Sequence, residues 1–161
     1  MNLNKLIPEK INFNKSISNH HNLLYQSISG NNILVIGGAG TIGSSYIKQI
    51  LNYKPSKIIV VDTNENGLTE LTRDLRSSDL LDYNPEYITY PVNLLSDTFD
   101  KIFNSESWQV VANFSAHKHV RSEKDKISVE ALIKNNVYGA IKLLNLCELN
   151  SPKYFFSVST D

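Results

Sequence analysis

One cysteine and one tryptophan are present in 161 residues, and neither charge is in excess, with sixteen basic side chains against sixteen acidic ones. A single thiol excludes a disulfide framework within the chain. Cys147, among apolar residues at helical spacing, reads as a small buried hydrophobe in a reducing compartment. The balanced charge gives no reason to expect nucleic acid or an anionic membrane surface as a partner. No apolar run approaches the roughly eighteen residues of a membrane span, and residues 1–30 lack the apolar centre of a signal peptide. Metal-ligand spacing is also missing. His117 and His119 flank Lys118 without a third ligand pattern, and the lysine would oppose a cation, so no metal is expected. These absences lead to the expectation of a soluble, cytoplasmic protein with one sizeable core.

What is present is concentrated in Ile33-Leu-Val-Ile-Gly-Gly-Ala-Gly-Thr-Ile-Gly43. A short apolar run ends in a glycine-rich turn and flows into the helical pattern Ser44-Ser-Tyr-Ile-Lys-Gln-Ile-Leu51. Gly38, Gly40 and Gly43 fit a G-x-G-x-x-G spacing, and Gly37, Gly40 and Gly43 fit G-x-x-G-x-x-G. Backbone N–H groups can approach a pyrophosphate closely only where no Cβ intervenes, and a helix N-terminus adds partial positive charge. Gly37, Gly38, Gly40, Thr41, Ile42 and Gly43 are therefore candidate cofactor contacts. A plain strand–helix turn would use the same glycines, so context decides. The run Lys57-Ile-Ile-Val-Val-Asp62 follows, and Asp62 lies about twenty residues after the turn, where a ribose-binding carboxylate belongs.

After residue 30, strand and helix patterns alternate. Strands are expected at 33–37, 57–62, 87–90, 108–114 and 153–159, and helices at 41–52, 65–77, 96–104 and 127–149. Alternation of this kind predicts an α/β fold of the Rossmann type, a doubly wound parallel sheet with helices on both faces. Residues 1–30 read as an N-terminal arm, either extended with a short helix around 18–29 or a disordered leader. Residues 31–161 form the expected dinucleotide-binding domain. Its last strand, Tyr154-Phe-Phe-Ser-Val-Ser-Thr160, is aromatic and β-branched. An unpaired apolar edge invites association. The sheet is thus expected to be incomplete at its C-terminal edge, truncated after the fifth strand, or covered there by a partner.

Several segments carry a family resemblance. Gly37-Gly-Ala-Gly-Thr-Ile-Gly43 resembles the glycine fingerprint of the extended short-chain dehydrogenase/reductase family, with Ile36 where threonine is usual. Val61-Asp-Thr-Asn-Glu-Asn66 and Leu71-Thr-Arg-Asp-Leu-Arg76 are similar to the second strand and helix of its nucleotide-sugar 4,6-dehydratase branch. Ser115-Ala-His-Lys-His-Val120, Asn136-Val-Tyr-Gly139 and Ser159-Thr-Asp161 resemble segments of the polysaccharide-biosynthesis members. The resemblance covers residues 31–161 nearly continuously.

Such enzymes use NAD or NADP to oxidise a sugar at C4, lose water across C5 and C6, and return the hydride at C6. The resemblance implies that Thr160 hydrogen-bonds the sugar 4-hydroxyl and that Asp161 protonates the departing hydroxyl. It adds Ser115, Ala116, Lys118 and Asn136 to the cofactor-binding set, with Lys118 near phosphates. It also implies a UDP-sugar substrate, and a homo-oligomer or association through the last strand. The family's Tyr-x-x-x-Lys pair would follow Asp161. Tyr138-Gly-Ala-Ile-Lys142 has that spacing but precedes the fifth strand, so Tyr138 reads as packing and Lys142 as solvated. Where the family places an adenine-binding Asp, Pro91 stands, and Asn93 is the substitute candidate. With no arginine directly after Asp62, NAD is expected over NADP. A 4-epimerase, or a catalytically dead nucleotide-binding module, is the alternative function.

Overall fold

Residues 33–36 and 58–61 are apolar without interruption and almost entirely β-branched, a pattern that suits strands covered on both faces. A computed structural model, which describes residues 13–116 and 125–158, places them side by side at the centre of a sheet. Strands β1 (Asn32–Ile36), β2 (Lys57–Asp62), β3 (Glu86–Pro91), β4 (Val110–Asn113) and β5 (Tyr154–Ser157) are arranged in the order β3-β2-β1-β4-β5. Every neighbouring pair is parallel, with Val35 opposite both Val60 and Ala112, and Ala112 opposite Phe156. The chain winds outward from β1 to β3, then returns to the other side of β1 as β4. Between β1 and β4 the connections leave in opposite directions, which opens a crevice at the carboxyl ends of the strands.

Alternating side chains divide the core into two layers. Ile33, Val35, Ile58 and Val60 face α3 (Thr41–Leu51) and α4 (Glu65–Ser77). Leu34, Ile36, Ile59 and Val61 pack with Phe99, Phe103 and Leu143, which come from α5 (Asp97–Asn104) and α7 (Gly139–Asn150). Helix starts follow the polar residues before them. Asn64 accepts from Gly67 N at 3.0 Å to cap α4, and Ser96 accepts from Phe99 N at 3.3 Å to cap α5. Leu68, Leu71 and Leu75 then line the buried stripe of α4.

Two stretches differ from the sequence reading. The expected helix 127–149 is divided into α6 (Lys126–Ile133), a π-helical turn (Lys134–Tyr138) and α7. Upstream, α1 (Phe13–Asn19) occupies part of the stretch expected to be extended, while α2 (His21–Ile28) falls within the short helix expected around 18–29. Ile28 belongs to the first core layer, the His21 ring sits 5.4 Å from that of Tyr53, and Ser27 Oγ donates to Tyr154 Oη at 3.4 Å. The end of the arm thus packs on the domain it precedes. Cys147 is half-buried against the second layer, and burial pushes its thiol pKa up.

Candidate functional site

The carboxyl ends of β1, β2, β3 and β4 enclose a cleft of about 330 Å³. Gly37, Gly40, Thr41, Ile42 and Gly43 form its floor from the β1–α3 turn. Gly37 adopts φ +75, and a Cβ there would meet Ser115 N at 2.6 Å, so both the conformation and the close approach of the β4 loop require glycine. A Cβ at Gly43 would lie 2.4 Å from Gly37 O, which shows how tightly α3 starts against the turn. Gly40 is the N-cap of α3, and no side chain caps that helix. Its first N–H groups therefore open toward the cleft, as an anion-binding helix start requires. A Cβ at Gly40 would have only Gly37 O, at 3.4 Å, within reach, so the space before it is open.

Asp62 closes the β2 side. Its Oδ2 accepts from Ala39 N and its Oδ1 from Asn64 N, both at 2.9 Å. The carboxylate is held between the glycine turn and the start of α4, and each oxygen keeps a lone pair for a further donor. Donors at the helix start and a fixed carboxylate one strand away fit the pyrophosphate and ribose of a dinucleotide. Beyond Asp62, the lining continues with Thr63, Val92, Asn93 and Leu94. On the opposite side it runs through Phe114, Ser115 and Ala116 to Asn135.

Two residues that the sequence reading passed over build the β4 wall. Asn113 is 4% exposed; its Nδ2 donates to Ser157 Oγ at 3.0 Å, while its Oδ1 accepts from Ser115 N and Ser115 Oγ at 3.0 and 2.6 Å. One buried amide thus joins the cleft loop to β5. Phe114 lines the cleft and meets Tyr46 in a tilted and Phe156 in an edge-on ring contact, at centroid distances of 5.1 and 5.7 Å. Burial pushes the Tyr46 hydroxyl up to about 12, opposite to the shift that a catalytic tyrosine base needs.

Of the candidate residues, Gly37, Gly40, Thr41, Ile42, Gly43, Asp62, Asn93, Ser115 and Ala116 line this one cleft. Gly38 does not. A Cβ there would meet Val60 Cγ1 at 2.2 Å and Ile47 Cδ1 at 3.0 Å, so this glycine serves helix–sheet packing. Asn136 is also outside the lining; its neighbour Asn135 takes that place and donates from Nδ2 to Asn136 Oδ1 at 3.0 Å. Lys118, Thr160 and Asp161, with His117 and His119, lie outside the described residues. The reading of Lys142 as solvated is corrected. Its Nζ sits 2.7 Å from Asp100 Oδ1 and donates to Ser96 O at 2.9 Å, tying α7 to α5. Tyr138 is 56% exposed, so it does not pack as expected either.

A profile of the family described as polysaccharide biosynthesis protein matches residues 33–161. The chain belongs to this family. Among relatives, the inverting UDP-N-acetylglucosamine 4,6-dehydratase of Campylobacter jejuni is 31% identical over 137 residues. That match covers 83% of this chain and 37% of the relative, so the chain spans well under half the relative's length. Among solved structures, Pen from Bacillus thuringiensis superposes with a TM-score of 0.69 at 25% identity, over 82% of this chain and 39% of that one. The UDP-glucuronic acid 4-epimerase of Bacillus cereus, in complex with UDP-glucuronic acid and NAD, gives 0.61 at 25% identity, over 81% and 40%. The matched residues 33–161 include the glycine turn, and the family agrees with the sequence resemblance. No described helix is long and apolar enough to cross a membrane.

Proposed function

We propose that this chain is the cofactor-binding part of a nucleotide-sugar 4,6-dehydratase of the UDP-N-acetylglucosamine type, acting in surface polysaccharide biosynthesis, with NAD as its cofactor. The observation that carries this reading is the convergence of an uncapped α3 start and Asp62 on a single cleft. When bound, NAD supplies a reversible hydride acceptor. Gly37, Gly40, Thr41, Ile42 and Gly43 hold the pyrophosphate through backbone N–H groups and the helix dipole. Asp62 accepts from ribose hydroxyls and repels a 2′-phosphate, which favours NAD over NADP. Ser115, Ala116 and Asn135 shape the half of the cleft nearest β4. Thr160 would hold the sugar 4-hydroxyl, and Asp161 would supply the proton for the departing hydroxyl. Lys118 is assigned to the phosphates of cofactor or sugar nucleotide, and Asn136 supports this half through Asn135.

The relatives span both chemistries, so a 4-epimerase is the alternative within enzymes. A homo-oligomer is the proposed assembly, supported by the apolar residues Ile133, Val137, Ile141 and Leu144, which α6, the π turn and α7 leave exposed. Titration with both cofactors tests the core of the reading. NAD should bind more tightly than NADP, Asp62→Ala should erase that preference, and Gly40→Val should abolish binding while the circular dichroism stays native. The 161-residue chain should not turn over UDP-N-acetylglucosamine. Normal binding by Gly40→Val would remove the dinucleotide reading, and turnover by this chain would overturn the division of labour.

A further inference from the structure

The order of the sheet orients the ligand. With the pyrophosphate at the β1–α3 turn and one ribose at Asp62 on β2, that nucleoside continues toward β3, and its base comes to lie beside Thr63, Val92, Asn93 and Leu94. Several of the polar groups there are committed. Pro91 has no N–H, and Val92 N donates to Tyr90 O at 2.9 Å. The carbonyl of Asn93 accepts from Ser96 N and Ser96 Oγ, at 3.0 and 2.7 Å. The side chain of Asn93 is also partly used, because its Oδ1 accepts from Leu95 N at 2.8 Å. That bond fixes the amide orientation: a backbone N–H is a donor, so the atom facing it must be oxygen, which keeps one lone pair, while Nδ2 brings two donors.

This inference rests on the dinucleotide reading above and deepens it. We propose that Asn93 reads the purine through a donating Nδ2 and the remaining lone pair of Oδ1, so that the cleft does not select for the 6-amino group of adenine and takes a 6-oxopurine dinucleotide equally well. A carboxylate at this place would accept from the 6-amino group and repel a 6-oxo group. An amide serves both; its N–H donates to ring nitrogen acceptors of adenine, or to N7 and the 6-oxygen of hypoxanthine, and its oxygen accepts from the 6-amino group or from N1–H. The Thr63 hydroxyl adapts to either base, since it both donates and accepts.

The test is a calorimetric titration of the chain with NAD and with its hypoxanthine analogue, in the native sequence and in Asn93→Asp. In Asn93→Asp a carboxylate oxygen still accepts from Leu95 N, so the turn is kept, and thermal unfolding provides the check on the fold. The native chain should bind the two dinucleotides within about threefold of each other, and Asn93→Asp should shift the ratio toward NAD by about tenfold or more, the worth of one charge-assisted hydrogen bond. A native preference for NAD of roughly tenfold, or a ratio that Asn93→Asp leaves unchanged, would overturn the proposal while sparing the dinucleotide reading. Failure of both dinucleotides to bind would overturn the two together.

Discussion

The two flanks of β1 are finished to different degrees. On the β2–β3 flank, Ile58, Ile59, Val60 and Val61 are buried, and α4 turns three leucines inward. On the β4–β5 flank, α6 buries no residue at all, and Ile127 and Leu149 are 80% and 82% exposed. The edge strand β5 leaves Tyr154 and Phe156 39% and 36% exposed. The first flank covers its own core, and it is the flank that carries Asp62 and the base end of the cleft. The second leaves apolar side chains of α6, α7 and β5 exposed among the described residues. The half of the cleft beside Asp62 therefore rests on buried elements, whereas the half beside Ser115 stands next to elements with exposed apolar faces.

Core truncation should separate the flanks most sharply. Leu75→Ala on α4 should cost about 2–5 kcal/mol, while Leu144→Ala on α7 should stay within about 0.5 kcal/mol. Denaturant unfolding of both variants measures this, and equal losses would dissolve the distinction. A smaller effect is expected at the amino-terminal rim of the closed flank, where Lys57 pairs with Glu106 and, at 3.0 Å, with Glu86. These carboxylates, Glu106 foremost, hold its pKa above the ordinary 10.5. A raised lysine pKa contributes stability that is complete below the unfolded value and is lost as pH rises through the folded one. Lys57→Met should therefore cost about 1–2 kcal/mol at neutral pH, and the gap should close in alkali above pH 10.5. A gap that widened with pH would contradict the pairing. The smallest effect should be a gain on the open flank. Ser151 ends α7 in the left-handed region at φ 45, and Ser151→Gly should raise stability by about 0.5–1 kcal/mol in the same unfolding assay.

What could be read in the sequence follows how local each cause is. β1, β2 and the glycine turn were legible because their signals lie within a few residues: unbroken apolar runs, glycine spacing and an acid at a fixed distance. Asp62 was legible for the same reason. Spacing points Gly38 at a pyrophosphate, but a Cβ there would meet Val60, a neighbour brought close only by sheet pairing and helix packing. Lys142 looked solvated because its partner Asp100 is 42 residues earlier on another helix. Asn113 drew no notice at all. A polar residue ending a strand has no distinctive pattern, and its partner Ser157 is separated by 44 residues. The π turn leaves no mark either, since no side-chain preference distinguishes an i→i+5 bond from its α-helical neighbour.

That turn acts as a gear within the helix. Each α-helical residue advances about 100° around the axis, so the wider turn at 134–138 slips the phase of everything beyond it. Upstream of it, α6 rides on the surface; downstream, Gly139, Leu143 and Leu146 of α7 mesh with the sheet layer. A one-residue deletion inside the turn would remove the slip and leave the two helices as a single rod, which could mesh either Asn135 with the cleft or Leu143 with the core, but not both.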